Sequence, residues 1–131
     1  MNSSTRLAVL VLVGSLLAYP ALAQDGMART ILHRADLAGA EAMEVISSIL
    51  EVQPGATVPR HFHHGIEAAY VIEGGMIQAP GQEPRMLPTG ANVFNLRDVV
   101  HGGFKVVGDK ALKVFTVHVV DKGKPLIDEV K

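Results

Sequence analysis

His61 and His63 stand two residues apart, and Glu67 follows shortly after them. On an extended strand, side chains alternate between faces, so the two imidazoles project from the same side. Gly65 can supply a turn that brings Glu67 back beside them on the next strand. Two imidazoles and a carboxylate converging from a strand pair form a borderline-hard donor set suited to a divalent transition metal. His101 lies well downstream at the start of another expected strand, which in a closed barrel can face the first pair. The competing reading is four ordinary polar residues on exposed strands. The spacing of the first three and their flanking glycines argue against it.

Other polar and aromatic residues invite weaker readings. His64 should point away from the pair, as alternation requires, and His33 is read as a surface residue. His118 shares a strand face with Leu112, Val114, Thr116 and Val120. It is read as a satisfied core histidine or, if that face lines the barrel, as a hydrogen-bond partner or catalytic general base near the metal. Tyr70 follows Glu67 on its strand and either packs or offers a catalytic phenol to the pocket. Phe62, Phe94, Phe104 and Phe115 are candidates for core or pocket wall. Arg60 and Arg97 are solvated surface by default, with an anion clamp at the barrel mouth as the alternative.

The elements that must hold these residues read as strands. Met43–Val52 mixes alternation with β-branched residues and ends at Pro54-Gly55. Ala68–Ile72 is a short apolar strand stopped by Gly74-Gly75, which reads as a hairpin turn with Met76-Ile77 on the return. Met86-Leu87, Val93-Phe94 and Val99–Val107 follow between Gly- and Pro-rich turns. Lys110–Val120 carries the strongest pattern. Within 24–42, Thr30-Ile31-Leu32 is an expected edge strand and Asp36–Ala42 a turn or short helical piece. No segment after Ala42 keeps a helical period. Many short strands punctuated by Gly and Pro indicate an all-β barrel or sandwich.

At this point the residues resemble a known family. Gly55, His61, His63, Glu67 and Gly74 match every fixed position of the first cupin motif, Gly-x5-His-x-His-x3-Glu-x6-Gly. The second motif, Gly-x5-Pro-x-Gly-x2-His-x3-Asn, is met only at Gly90 and His101. Leu96, Asp98 and Lys105 stand at its Pro, Gly and Asn positions. The chain also looks like small single-domain cupins called quercetin-dioxygenase-like, with a similar tail at Lys122–Leu126. The resemblance implies a single-domain all-β cupin, a jelly-roll barrel over 43–120, with an N-terminal arm at 24–42 and a tail at 121–131. It implies one divalent transition metal (Fe, Mn, Ni, Cu or Zn) held by His61, His63, Glu67 and His101. Four protein ligands would leave two positions open for water, substrate or dioxygen. The reactions implied are dioxygenation, isomerisation or lyase chemistry on a small oxygen-chelating molecule. The alternative is a non-catalytic module that captures a metal or small ligand. Small cupins often pair as homodimers, and an edge strand from the arm would serve that purpose.

Composition bounds the rest. The 131 residues include 12 basic and 13 acidic side chains, with no basic run, which gives no support for nucleic-acid binding. Without cysteine there are no disulfides, thiolate nucleophiles or thiolate metal ligands. Arg6, the apolar run Leu7–Leu17, Pro20 and Ala21-Leu22-Ala23 have the layout of a secretory signal peptide cleaved after Ala23. The apolar core is short for a membrane anchor. The expected location is the periplasm, without a stable membrane anchor. Outside the cytoplasm, affinity for such ligands favours copper and zinc over manganese and iron.

Overall fold

Alternation of buried and exposed side chains governs this chain. The computed structural model describes residues 22–131, and the expected signal peptide falls almost entirely outside the described residues. The strands are β1 (Leu22–Gln24), β2 (Met27–Asp36), β3 (Met43–Val52), β4 (Thr57–Phe62), β5 (Gly65–Glu73) and β6 (Gly75–Gln78). β7 (Arg85–Leu87), β8 (Asn92–Asn95), β9 (His101–Val107), β10 (Leu112–Asp121) and β11 (Asp128–Glu129) follow. They form a six-stranded sheet, β1-β2-β3-β10-β5-β8, and a five-stranded sheet, β11-β4-β9-β6-β7. All the pairings are antiparallel. Among the described residues every regular element is a strand, which gives the all-β jelly roll expected from the sequence.

β10 is the axis of the larger sheet because every second residue can be buried: Leu112, Val114, Thr116, His118 and Val120 point inward. β3 answers in register, setting Val52, Leu50, Ser48 and Ile46 opposite the first four of these. On the other flank β5 places Val71, Ala69 and Glu67 opposite Val114, Thr116 and His118. The apolar core gathers at one end of this stripe, with Val52, Val58, Val71, Ile77, Val106, Leu112 and Val114 packed together. Burying each such side chain contributes roughly 1.5–3 kcal/mol.

Two local expectations are corrected. Gly74-Gly75 is no hairpin turn, because β5 and β6 belong to different sheets and do not pair. The chain crosses there from one layer to the other. A Cβ on Gly74 would lie 2.6 Å from the Leu87 carbonyl oxygen and 2.7 Å from the Thr89 nitrogen, so close backbone approach selects glycine. The arm also holds more strand than expected: β2 runs from Met27 to Asp36, and residues 37–42 form a turn without a helix. The tail packs down too, its β11 pairing with β4.

Candidate metal centre

The four residues singled out for metal binding come together, by a route that differs from expectation. β4 carries His61 in the smaller sheet, and His63 sits just past its end. β5 carries Glu67 in the larger sheet. Glu67 therefore arrives from the opposing layer, and His101 is the neighbour, since β9 pairs with β4 and sets His101 directly opposite His61. Gly65 makes the crossing possible: a Cβ there would fall 2.1 Å from the Val119 carbonyl oxygen and 2.5 Å from the Val120 Cα.

The tautomers follow from what the outer ring nitrogens touch. His61 Nδ1 is 2.8 Å from the Pro59 carbonyl oxygen, His63 Nδ1 is 2.5 Å from that of Leu126, and His101 Nδ1 is 2.9 Å from that of Val99. A carbonyl oxygen only accepts, so each Nδ1–H donates and, in the neutral ring, each Nε2 keeps its lone pair. These lone pairs meet: His63 Nε2 and His101 Nε2 are 3.2 Å apart. Glu67 Oε2 lies 3.4 Å from the first and 3.5 Å from the second. A metal about 2.1 Å from each of two adjacent nitrogens would hold them about 3.0 Å apart, close to what is found. A proton between two of these atoms would relieve one pair, whereas a divalent cation relieves all of them.

Burial sharpens the chemistry. His61, His63 and Glu67 are buried and His101 is partly open. Desolvation pushes the His61 imidazole down to about 4, which keeps it neutral and ready to donate. For Glu67 burial works against ionisation, but the imidazoles of His101, His118 and His63 outweigh it and hold the carboxyl well below its usual range. His101 is also opposed by desolvation, yet contact with Glu67 and the Val99 carbonyl leaves it raised. His61, His63 and His101 form one group able to hold a metal ion, and His63, Glu67 and His118 form another. His61, Glu67 and His101 also line a cavity of about 290 Å³ that is open to solvent on one side.

Of the two residues read as catalytic, Tyr70 stands away from the centre and His118 beside it. Tyr70 is on the outer face of β5, with 52% of its surface exposed. The parity that turns Glu67, Ala69 and Val71 inward turns Tyr70 outward, so its phenol does not reach the cavity. His118 is fully buried and lies outside the cavity wall. Its Nε2 is 3.2 Å from Glu67 Oε1, but neither ring nitrogen has a partner with hydrogen-bond alignment. It is thus not a satisfied core histidine, and its ring stands beside the centre, 4.7 Å from that of His63 between centroids. It supports Glu67 from behind, opposite it in the sheet.

Among the remaining candidates, His64 turns away as expected and meets Asp128 of β11 through Nε2 at 2.5 Å. Arg97 is tied to Asp121 and Arg60 is exposed. Phe104 lines the cavity, whereas Phe94 is 59% exposed. Two residues of the site escaped the sequence reading. Asn95 Nδ2 donates to Glu67 Oε2 at 2.7 Å from the facing position on β8. Arg29 is buried on β2, where Nη1 donates to Ser48 Oγ at 2.8 Å and Thr116 Oγ1 at 3.1 Å. Its spacing from Met27 and Ile31 was the available signal.

The fold and this cluster define a β-barrel with a histidine–carboxylate centre at one end of its interior. The cupin domain family matches residues 48–118, and the chain belongs to that family. Against curated proteins the sequence finds no significant match. Among solved structures it is similar to the polyketide cyclase RemF from Streptomyces resistomycificus, at 22% identity and TM-score 0.59, over 82% of this chain and 72% of that one. A cupin 2 conserved barrel domain protein from Rhodopseudomonas palustris is similar at 18% identity and TM-score 0.56, over 87% and 75%. The hydroxypropylphosphonic acid epoxidase from S. wedmorenis is similar at 22% identity and TM-score 0.55, over 76% of this chain and 54% of that one. These likenesses establish the fold.

Proposed function

We propose that the protein is an exported, periplasmic metalloenzyme of the quercetin-dioxygenase-like type that acts on a small oxygen-chelating molecule. One divalent transition metal is held by His61, His63, Glu67 and His101. The convergence of the His63 and His101 Nε2 atoms on the Glu67 carboxylate carries this reading. When bound, the metal would polarise a carbonyl or stabilise developing negative charge on oxygen. Three backbone carbonyls fix the tautomers and aim the Nε2 atoms, while Asn95 and His118 orient the carboxylate. Val58, Val71, Leu112 and Phe104 give the cavity an apolar wall suited to the body of a small organic molecule. Dioxygenase, isomerase and lyase chemistry are all compatible with such a site. A cyclase and an epoxidase share the fold, which by itself selects no reaction.

The test is elemental analysis of protein purified from the periplasm, paired with turnover of a panel of diketones, flavonols and uronates. About one equivalent of a transition metal is expected. His63→Ala should lower metal affinity by more than about 100-fold and abolish turnover with the strand spectrum unchanged. Less than about a tenth of an equivalent of any transition metal after reloading would sink the metal reading. Tight binding without turnover would favour a capture protein.

A further inference from the structure

Arg29 is a buried cation that feels the charge of Glu67 without an ion-pair contact to it. Only 6% of its surface is exposed, and it forms no ion pair with a carboxylate among the described residues. Its recorded partners are two neutral hydroxyls, Ser48 Oγ and Thr116 Oγ1, which also bond each other at 2.7 Å. Those two contacts use one nitrogen of a guanidinium that carries five N–H donors. A buried charge left in this condition costs several kcal/mol unless something else compensates it.

The position of Arg29 says what the compensation is. Its side chain lines the same cavity as His61, Glu67 and His101. Among the described residues the other charged side chains of the wall are Glu67 and Arg85, so a divalent metal added at the centre leaves the cavity strongly positive. Thr116, to which Arg29 is bonded, stands two residues from His118 along β10, and Ala69 opposite it stands two residues from Glu67. That places the Arg29 cluster about 7 Å from the metal-binding end. Beyond it the wall is apolar, with Met27, Leu50, Val71, Leu112 and Val114.

We propose that Arg29 binds the carboxylate of the cavity's ligand, which is a small organic acid with an apolar body and a chelating oxygen close to its acid group. The inference rests on the small-molecule pocket described under the proposed function. A guanidinium offers a carboxylate two parallel N–H donors, and in a water-poor pocket such charge-assisted bonds are the strong ones. Burial also lowers the Arg29 pKa, and the charge of Glu67 offsets this only in part.

The experiment titrates octanoate and 1-octanol into the full mature protein at pH 8 by calorimetry, with metal content measured on each sample. The two probes share an apolar body and differ in charge. Wild type should prefer octanoate by at least about tenfold, and Arg29→Gln should reduce the preference to within about twofold at unchanged metal content. Arg29→Lys keeps the charge and loses the fork, so it should retain part of the preference even if the glutamine variant folds poorly. An octanoate preference that survives in Arg29→Gln, or failure of octanoate to bind wild type, overturns the proposal. An Arg29-dependent preference in protein that holds no metal supports this inference while the metal reading fails.

Discussion

Along β3, β10 and β5, one inward-facing stripe has two halves of opposite character. At one end Val52, Leu112, Val114 and Val71 meet across the strands, and at the other Ser48, Thr116, His118 and Glu67 do so. β3 and β10 keep one register through both halves, and β5 pairs with β10 without a break from Val114 to Val120, so the difference lies in the side chains. The apolar half tolerates its burial without partners. In the polar half Ser48 and Thr116 bond each other and Glu67 accepts from the Asn95 amide, whereas the ring nitrogens of His118 lack aligned bonds and the Nε2 atoms of His63 and His101 face each other. The lesson is that the barrel is stabilised at one end and carries its chemistry at the other.

The sharpest way to break this division is to damage the apolar end. Leu112 is 1% exposed within the core cluster, so Leu112→Ala should destabilise the protein by about 3 kcal/mol in urea unfolding. Metal bound per folded molecule should stay near wild type. Loss of metal from the folded fraction would show that the two halves are one cooperative site.

Acid should instead act at the polar end. The folded pKa of His61 is lowered to about 4 by burial, against about 6.5 for an unfolded histidine. Between these values the unfolded chain takes up a proton that the folded one refuses, so stability falls as pH drops from about 6.5 to 4. His61 alone contributes a loss on the order of 3 kcal/mol over that window. His118 is also lowered, by its own burial, and adds to the loss. His101 is raised, so it gains stability as pH falls and offsets part of it. Glu67 is lowered, and its contribution is lost below about pH 4.5 as the carboxylate is protonated. Urea unfolding of the metal-free protein should show a net loss of about 2 kcal/mol between pH 7 and 4.5. A flat profile would mean that the imidazoles are solvated rather than buried.

A smaller effect separates the residues that touch a metal from those that aim them. Asn95→Ala removes the donor that holds Glu67 Oε2 at 2.7 Å, and leaves every proposed ligand in place. Metal affinity, measured by competition with a chromophoric chelator, should weaken about tenfold. Unchanged affinity would assign the aiming of Glu67 to His118 alone.

How much of this was legible in the sequence differs between the halves. The apolar half and the strands that carry it are visible, because alternation in β10 writes itself directly into the chain. His61, His63 and Glu67 were legible through their spacing. The layer each comes from was not, because Gly74 and Gly65 serve close approach between backbones and look like turn residues in a sequence. The outward face of Tyr70 was legible too, since it stands an odd three residues from Glu67 on one strand. Arg29 and Asn95 were missed for a physical reason. Each has its role through strands far away in the chain, Ser48 and Thr116 for one and Glu67 for the other, and no local pattern announces such pairs.

The loop before His101 gives the finest test. Asp98 stands where the second motif has glycine, and its φ is 60°, the only positive value outside glycine among the described residues. The turn therefore keeps the left-handed geometry that the motif's glycine serves, with a side chain that tolerates it better than most. Its backbone nitrogen bonds the His63 carbonyl oxygen at 3.0 Å, which ties the loop carrying His101 to the strand end carrying His63. Asp98→Gly removes the backbone strain but also loosens the unfolded chain and deletes a 3.6 Å contact with His64 Nδ1. Asp98 is mostly exposed, so that contact is screened and weak. The balance favours glycine by about 0.5 kcal/mol. A rise of this size in the urea midpoint, with metal affinity unchanged, would show that the loop needs the conformation and not the carboxylate. A fall in stability would instead give Asp98 a share, through His64 and Asp128, in anchoring the tail whose Leu126 carbonyl fixes the tautomer of His63.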